Sequence, residues 1–210
     1  MQDEITKHGK KIYKKAVSKE HSFLEKAKDI FVEILIIVFA VTLSIWFHSW
    51  SEDNHNEKDA IGFLTDLKID LKDDILNLQH SKKTTQNNIQ TITNKQDLVN
   101  TENVFTKINN GNFEGFKSSG KIGHITNDKI RLELLKYYGN TFSATRFYDN
   151  VSNNYLQKLK EENSESLPTQ KQINLQKTYI KEAQTNILYY DKTINGIENI
   201  IKQIDAILAE

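Results

Sequence analysis

The chain has 210 residues, with 28 basic and 28 acidic side chains, no cysteine and a single proline. Zero net charge lacks the basic surplus of a dedicated nucleic-acid binder, and the missing cysteines exclude disulfides and thiolate metal sites. Scarce proline and glycine imply long helices, and residues 51–210 suffice for one domain with a core.

Residues 1–29 form a basic segment carrying Lys7, Lys10, Lys11, Lys14, Lys15, Lys19, Lys26 and Lys28. Residues 30–47 are apolar except for Glu33, Thr42 and Ser44. At 1.5 Å per residue that run covers roughly 27 Å, close to the hydrocarbon thickness of a bilayer. Its Ile, Leu, Val and Phe residues contribute about −4 to −8 kcal/mol on an insertion scale. Glu33 would cost about 2.5–3.5 kcal/mol at the centre, but it stands one turn inside the start, where the cost is smaller. A transmembrane helix over residues 30–50 is predicted, with Trp46 and Trp50 at its exit end as interfacial rings. A buried bundle helix needs only one apolar face. A cleaved signal peptide has a shorter apolar run and a small-residue cleavage site, and neither is present.

The lysines lie before the run, and Glu52, Asp53, Glu57 and Asp59 lie after it. Positive charge marks the cytoplasmic side. The expected topology is a single-pass inner (cytoplasmic) membrane protein, with residues 1–29 a cytoplasmic tail and residues 51–210 extracytoplasmic, in the periplasm of a diderm bacterium. The lysines are read chiefly as topology determinants, with contact to anionic lipid as the other reading.

From about Lys19 to Lys107 only Gly62 interrupts a helical pattern. Phe63, Leu64, Leu67, Leu71, Ile75 and Leu78 recur at steps of three and four, and the stripe then thins to Ile89, Ile92 and Val99. The turn cluster at residues 109–112 opens an interruption that lasts to residue 127. A short helix over residues 113–119 should stop at Gly120 in the left-handed conformation. Residues 121–125 read as extended, after which Thr126 or Asn127 caps the next helix, with Asp128 in its first turn. That helix, residues 128–161, has an apolar face of Leu134, Leu135, Tyr138, Phe142, Tyr148, Val151, Tyr155 and Leu159. Residues 161–168 form a polar loop. The last helix starts near Thr169 and carries a heptad seam of Ile173, Ile180, Ala183, Ile187, Tyr190, Ile194, Ile197, Ile201, Ile204 and Leu208, broken only by Gln176. The expected fold is all-α: one N-terminal transmembrane helix, then an elongated antiparallel bundle of three long helices with coiled-coil pairing.

Chemical motifs are absent. No H-x-x-x-H pair, phosphate-binding glycine loop or nucleophile elbow occurs. His48 and His55, seven apart with Glu52 between them, fit interfacial polar residues better than metal ligands. The adjacent pairs Asp73-Asp74 and Glu161-Glu162 read as solvated faces. Glu33 has two readings: a proton- or ion-linked carboxyl, or an interfacial glutamate near Lys26 and Lys28. The aromatics of residues 137–155 fit core packing, with a ligand pocket near Tyr138 and Tyr148 as the rival. No catalytic residue, cofactor or metal is expected.

Two stretches resemble an uncharacterised family of single-pass membrane proteins common in Bacteroidota. In that family Gly-Glu-Ile opens the apolar run and Trp-Asn-Glu closes it; here the matching residues are Val32-Glu33-Ile34 and Trp50-Ser51-Glu52. The second stretch is Lys117-Ser118-Ser119-Gly120-Lys121, then Ile125, Asn127, Ile130-Arg131 and Tyr137-Tyr138. The resemblance implies topology and class but no mechanism, and it points to Glu33, Trp50, Glu52, Gly120, Arg131 and Tyr138. The expected function is a membrane-anchored, non-enzymatic interaction or scaffold module. Its expected partners are the lipid bilayer and either a second copy or a membrane-complex partner, with no nucleic acid. The alternatives are an extracytoplasmic ligand-sensing bundle, or an accessory subunit of a transport or energised complex using Glu33.

Overall fold

A computed structural model describes residues 2–17, 23–162 and 169–209; of the predicted loop at 161–168, residues 161 and 162 are helical, and residues 163–168, like the helix start at Lys19, lie outside the described residues. The described residues are mostly helical, with no strand among them, so the all-α class holds. The helices are α1 (Gln2–Val17), α2 (Phe23–Thr93), α3 (Gly111–Ser118), α4 (Asp128–Lys136), α5 (Phe142–Glu162) and α6 (Gln170–Leu208). The chain forms two compact units, Met1–Asn56 and Glu57–Glu210.

In the first unit, residues 2–17 of the predicted tail form a helix, α1. The apolar stretch of α2 is long and apolar enough to cross a membrane, and almost none of it is buried by protein.

In the second unit, α2 stops at Thr93, well short of Lys107. The amide of Gln96 reaches back to the Thr91 carbonyl (3.0 Å) and that of Lys95 to Ile92 (3.2 Å), with Lys95 in the left-handed conformation at φ 54°. This is the two-bond closure that usually takes glycine; because lysine occupies the turn, no stop signal is legible there. A short 3₁₀ turn, Leu98–Asn100, follows, capped by Asp97, and it leaves Val99 on the surface.

Residues 101–110 form an extended strap. Val104, Thr106 and Ile108 alternate inward while Asn103, Phe105 and Lys107 face outward. Alternation of this kind is the period of an extended chain.

Helix α3 ends where expected. Gly120 adopts φ 78° and donates to the Lys117 carbonyl (3.1 Å). Residues 121–125 differ from expectation: Lys121–His124 is a 3₁₀ turn. Asn127 caps α4 by accepting from the Ile130 amide, with Asp128 in the first turn. The Tyr137–Thr141 π-helical turn joins α4 to α5, the Phe142 amide bonding back five residues to Tyr137. The inserted residue rotates the face that follows. On α5 the buried positions are Thr145, Asp149, Ser152, Leu156 and Leu159, whereas the expected face used Tyr148, Val151 and Tyr155. Thr169 caps α6 by accepting from the Gln172 amide.

The seam of α6 is half as expected. Ala183, Tyr190, Ile194, Ile197 and Ile204 are buried, but the companion row is Gln172, Tyr179, Asn186, Thr193 and Ile200, one residue before the isoleucines at 180, 187 and 201. Its polar members, Gln172, Asn186 and Thr193, carry no hydrophobic periodicity in the sequence.

Two apolar clusters result. The larger joins Leu64, Leu67, Leu71 and Leu78 of α2 to Phe113, Ile130, Leu134 and the 190–204 stretch of α6. The smaller gathers Ile92, Leu98, Leu156, Leu159, Tyr179 and Ala183. In the numbering of each long helix, buried polar residues fall between the two: Ser81, Thr85 and Asn88 on α2, Thr145, Asp149 and Ser152 on α5, Asn186 on α6. Helix α6 is tied to α2 by the ion pairs Lys68–Asp205 and Lys82–Asp191, the latter at 2.6 Å.

Candidate functional site

Glu33 is buried, 5 % exposed, under α1. His8 Nδ1 lies 2.6 Å from its Oε2 and Lys11 Nζ 3.6 Å from its Oε1. Of the two expected neighbours, Lys28 is exposed and makes no ion pair with Glu33 among the described residues, and the side chain of Lys26 lies outside the described residues. The clamp was not readable from the sequence because it joins residues 25 apart through a helix not anticipated in the tail. Beyond Glu33, α2 exposes thirteen large apolar side chains between Phe31 and Trp50. They point all round the helix. Trp46 (59 % exposed) packs edge-on against Phe47, while Trp50 and Glu52 are exposed.

In the second unit the strap is held by side chains. Asn88 brackets Glu102, donating to its carbonyl (2.7 Å) and accepting from its amide (3.0 Å). Asn153 does the same for Val104, at 2.7 and 2.8 Å. Asp149 accepts the Thr106 amide (2.7 Å) and also the Tyr190 hydroxyl; the Thr106 hydroxyl donates to Ser81 (2.9 Å). Lys160 donates to the Thr101 carbonyl. An extended backbone buried without a neighbouring strand needs such partners, since an unpaired buried amide or carbonyl costs about 1–3 kcal/mol.

Asp74 closes the far end of the strap. It is fully buried and accepts the Asn109 amide (2.7 Å) and the Tyr137 hydroxyl (2.8 Å). Burial pushes its pKa up to about 6, against the pull of those two bonds; Asp70 and Asp73 add to the rise. Burial and the adjacent Asp74 likewise push the Tyr137 phenol up. The expectation of a solvated Asp73-Asp74 pair is therefore wrong for Asp74. Nothing in the local sequence separates it from Asp73 except its register with Leu67, Leu71 and Leu78.

The remaining sequence-chosen residues are dispersed. Arg131 donates to the Ile125 carbonyl (3.0 Å) and pairs with Asp128, which fixes the start of α4. Tyr138 is buried, stacks on Phe113 at 4.4 Å, and its hydroxyl has no partner among the described residues. Tyr148 packs against Tyr189, with ring centroids 4.7 Å apart. A cleft of about 410 Å³ lies beside the π-helical turn, lined by residues that include Lys136, Tyr137, Thr141, Tyr189, Lys192 and Gly196. Turns of this type often mark functional positions.

No curated protein and no solved structure matches the chain. From the clamped Glu33 to the first turns of α6, residues 33–175 match the model of a family of unknown function, and the protein belongs to that family, DUF6090.

Proposed function

We propose that this protein is a membrane-anchored, non-enzymatic helical interaction module, with α1 in the cytoplasm and its second unit outside, in the periplasm of a diderm bacterium. The observation that carries the reading is the unburied apolar surface at 31–50. Fully transferring a large apolar side chain from water is worth roughly 1.5–3 kcal/mol, so thirteen of them favour hydrocarbon decisively. The lysine-rich entry and acidic exit support the orientation. The second unit is an antiparallel bundle in this reading: Lys68 pairs with Asp205 and Lys82 with Asp191, one number rising as the other falls. It offers its surface to a second copy or to a membrane-complex partner.

Fractionation tests the anchor. After detergent-free lysis the full chain should sediment with membranes and resist alkaline extraction; recovery in the soluble fraction would overturn the reading. Lys14→Cys and Lys177→Cys should react with an impermeant maleimide from opposite sides of the membrane. A photocrosslinker at the exposed Leu188 should capture a defined partner or a second copy. Glu33 already has a counter-charge, Lys11, and a hydrogen-bond partner, His8, within its own chain, which argues against the accessory-subunit alternative. Glu33→Gln should leave membrane retention unchanged.

A second reading, ligand sensing, draws on the cleft at the π-helical turn. Its two lysines, with Tyr137 and Tyr189, would suit a small aromatic anion. Benzoate should then raise the melting temperature of the wild type and leave Lys136→Gln/Lys192→Gln unmoved; no shift in the wild type would remove the reading.

A further inference from the structure

Helix α1 places Lys7, Lys10, Lys11 and Lys14 at steps of three, one and three residues. At 3.6 residues per turn these steps keep all four within roughly 100° of arc. All four are exposed. The half-buried residues of α1, His8 and Ile12, lie on a different side, and His8 is the one bonded to Glu33. Lys11, at the edge of the row, reaches Glu33; Lys7, Lys10 and Lys14 make no ion pair among the described residues. Asp3 and Glu4 precede the row in the first turn. Tyr13 is exposed on its flank.

The clamp decides where this row sits. Glu33 stands at the start of the apolar run, so a helix pinned to it is held at the entry edge of that run. We propose that the lysine row of α1 is a binding surface for the phosphate groups of anionic phospholipids, with Lys7, Lys10 and Lys14 as its ligands. The inference rests on the anchoring reading above and adds lipid selectivity to it. A basic amphipathic helix binds such surfaces through charge on its polar face, and each lysine beside an anionic leaflet is worth about fivefold in partition. The anchor supplies the second signal that a short helix needs for stable attachment.

The test uses the absence of native cysteine. Tyr13→Cys, carrying an environment-sensitive fluorophore, is made in the full chain and reconstituted into phosphatidylcholine vesicles with and without phosphatidylglycerol. Stronger, blue-shifted emission is expected in the anionic vesicles, falling back at high salt. Lys7→Gln/Lys10→Gln/Lys14→Gln should abolish the difference, and the triple arginine variant should keep it. Equal emission in both lipids, or a difference that survives the glutamine variant, overturns the proposal. A response in neutral vesicles to an added RNA oligonucleotide, with none to phosphatidylglycerol, would also overturn it, assigning the row to nucleic acid. Failure of the protein to float with either vesicle would bring down the anchor as well, and that result is distinct from floating without lipid selectivity.

Discussion

Asp74 and Asn153 carry opposite lessons about buried polarity. The Asp74 carboxyl titrates near 6 in the folded chain and at its ordinary value of 3.8 when unfolded. Its pKa is raised on folding, so its stabilising contribution is complete at low pH and disappears as pH climbs through about 6. Asp74→Asn, which keeps an acceptor for Asn109, should stabilise the protein by on the order of 2 kcal/mol at about pH 7, and the gain should vanish below about pH 4. Thermal denaturation across that range checks both halves. Asn153 is neutral and satisfies both backbone groups of the buried Val104. Asn153→Ala strands them and should cost about 2–4 kcal/mol in denaturant titrations, at every pH.

At the scale of the elements, two left-handed turns make a matched pair. Lys95 and Gly120 both sit at positive φ, 54° and 78°. Lys95→Gly should add about 1 kcal/mol of stability and Gly120→Ala remove about as much, both read as shifts in melting temperature. The pair also explains what the sequence could disclose. Gly120, Asn127 and Thr169 announce their turns because their chemistry is the usual one, and all three fall where expected. The end of α2 went unread because lysine occupies the glycine position. The face of α5 was misassigned because the π-helical turn adds a residue, and the companion row of α6 was hidden because Gln172, Asn186 and Thr193 do not register as core. The apolar surface at 31–50 needed no structure to find. The Glu33 clamp and the strap did, since both depend on residues far apart in the chain.

Across the whole molecule, the ion pairs between α2 and α6 set a distance test. Paired cysteines at 82 and 191, or at 68 and 205, should be joined within one chain by a short bismaleimide, whereas pairs at 68 and 191 should not. Crosslinking of that last pair would overturn the antiparallel arrangement proposed above. The buried polar residues between the two apolar clusters also narrow the ways the helices can pack, because any slipped register would strand Asp149 or Asn88 without its partner.

The strap makes the order of assembly matter. Its backbone is satisfied by Asn88 on one helix and by Asn153 and Asp149 on another, 49 and 43 residues downstream of the strap positions they hold. The two halves of that cradle lie on different helices and come together only when those helices meet, so the extended segment is expected to dock last and leave first. Amide exchange should show Val104 and Thr106 losing protection before Tyr190 and Ile197 under mild denaturant. This piece of the body is then expected to come undone while the long helices remain paired, and limited proteolysis should cut there first.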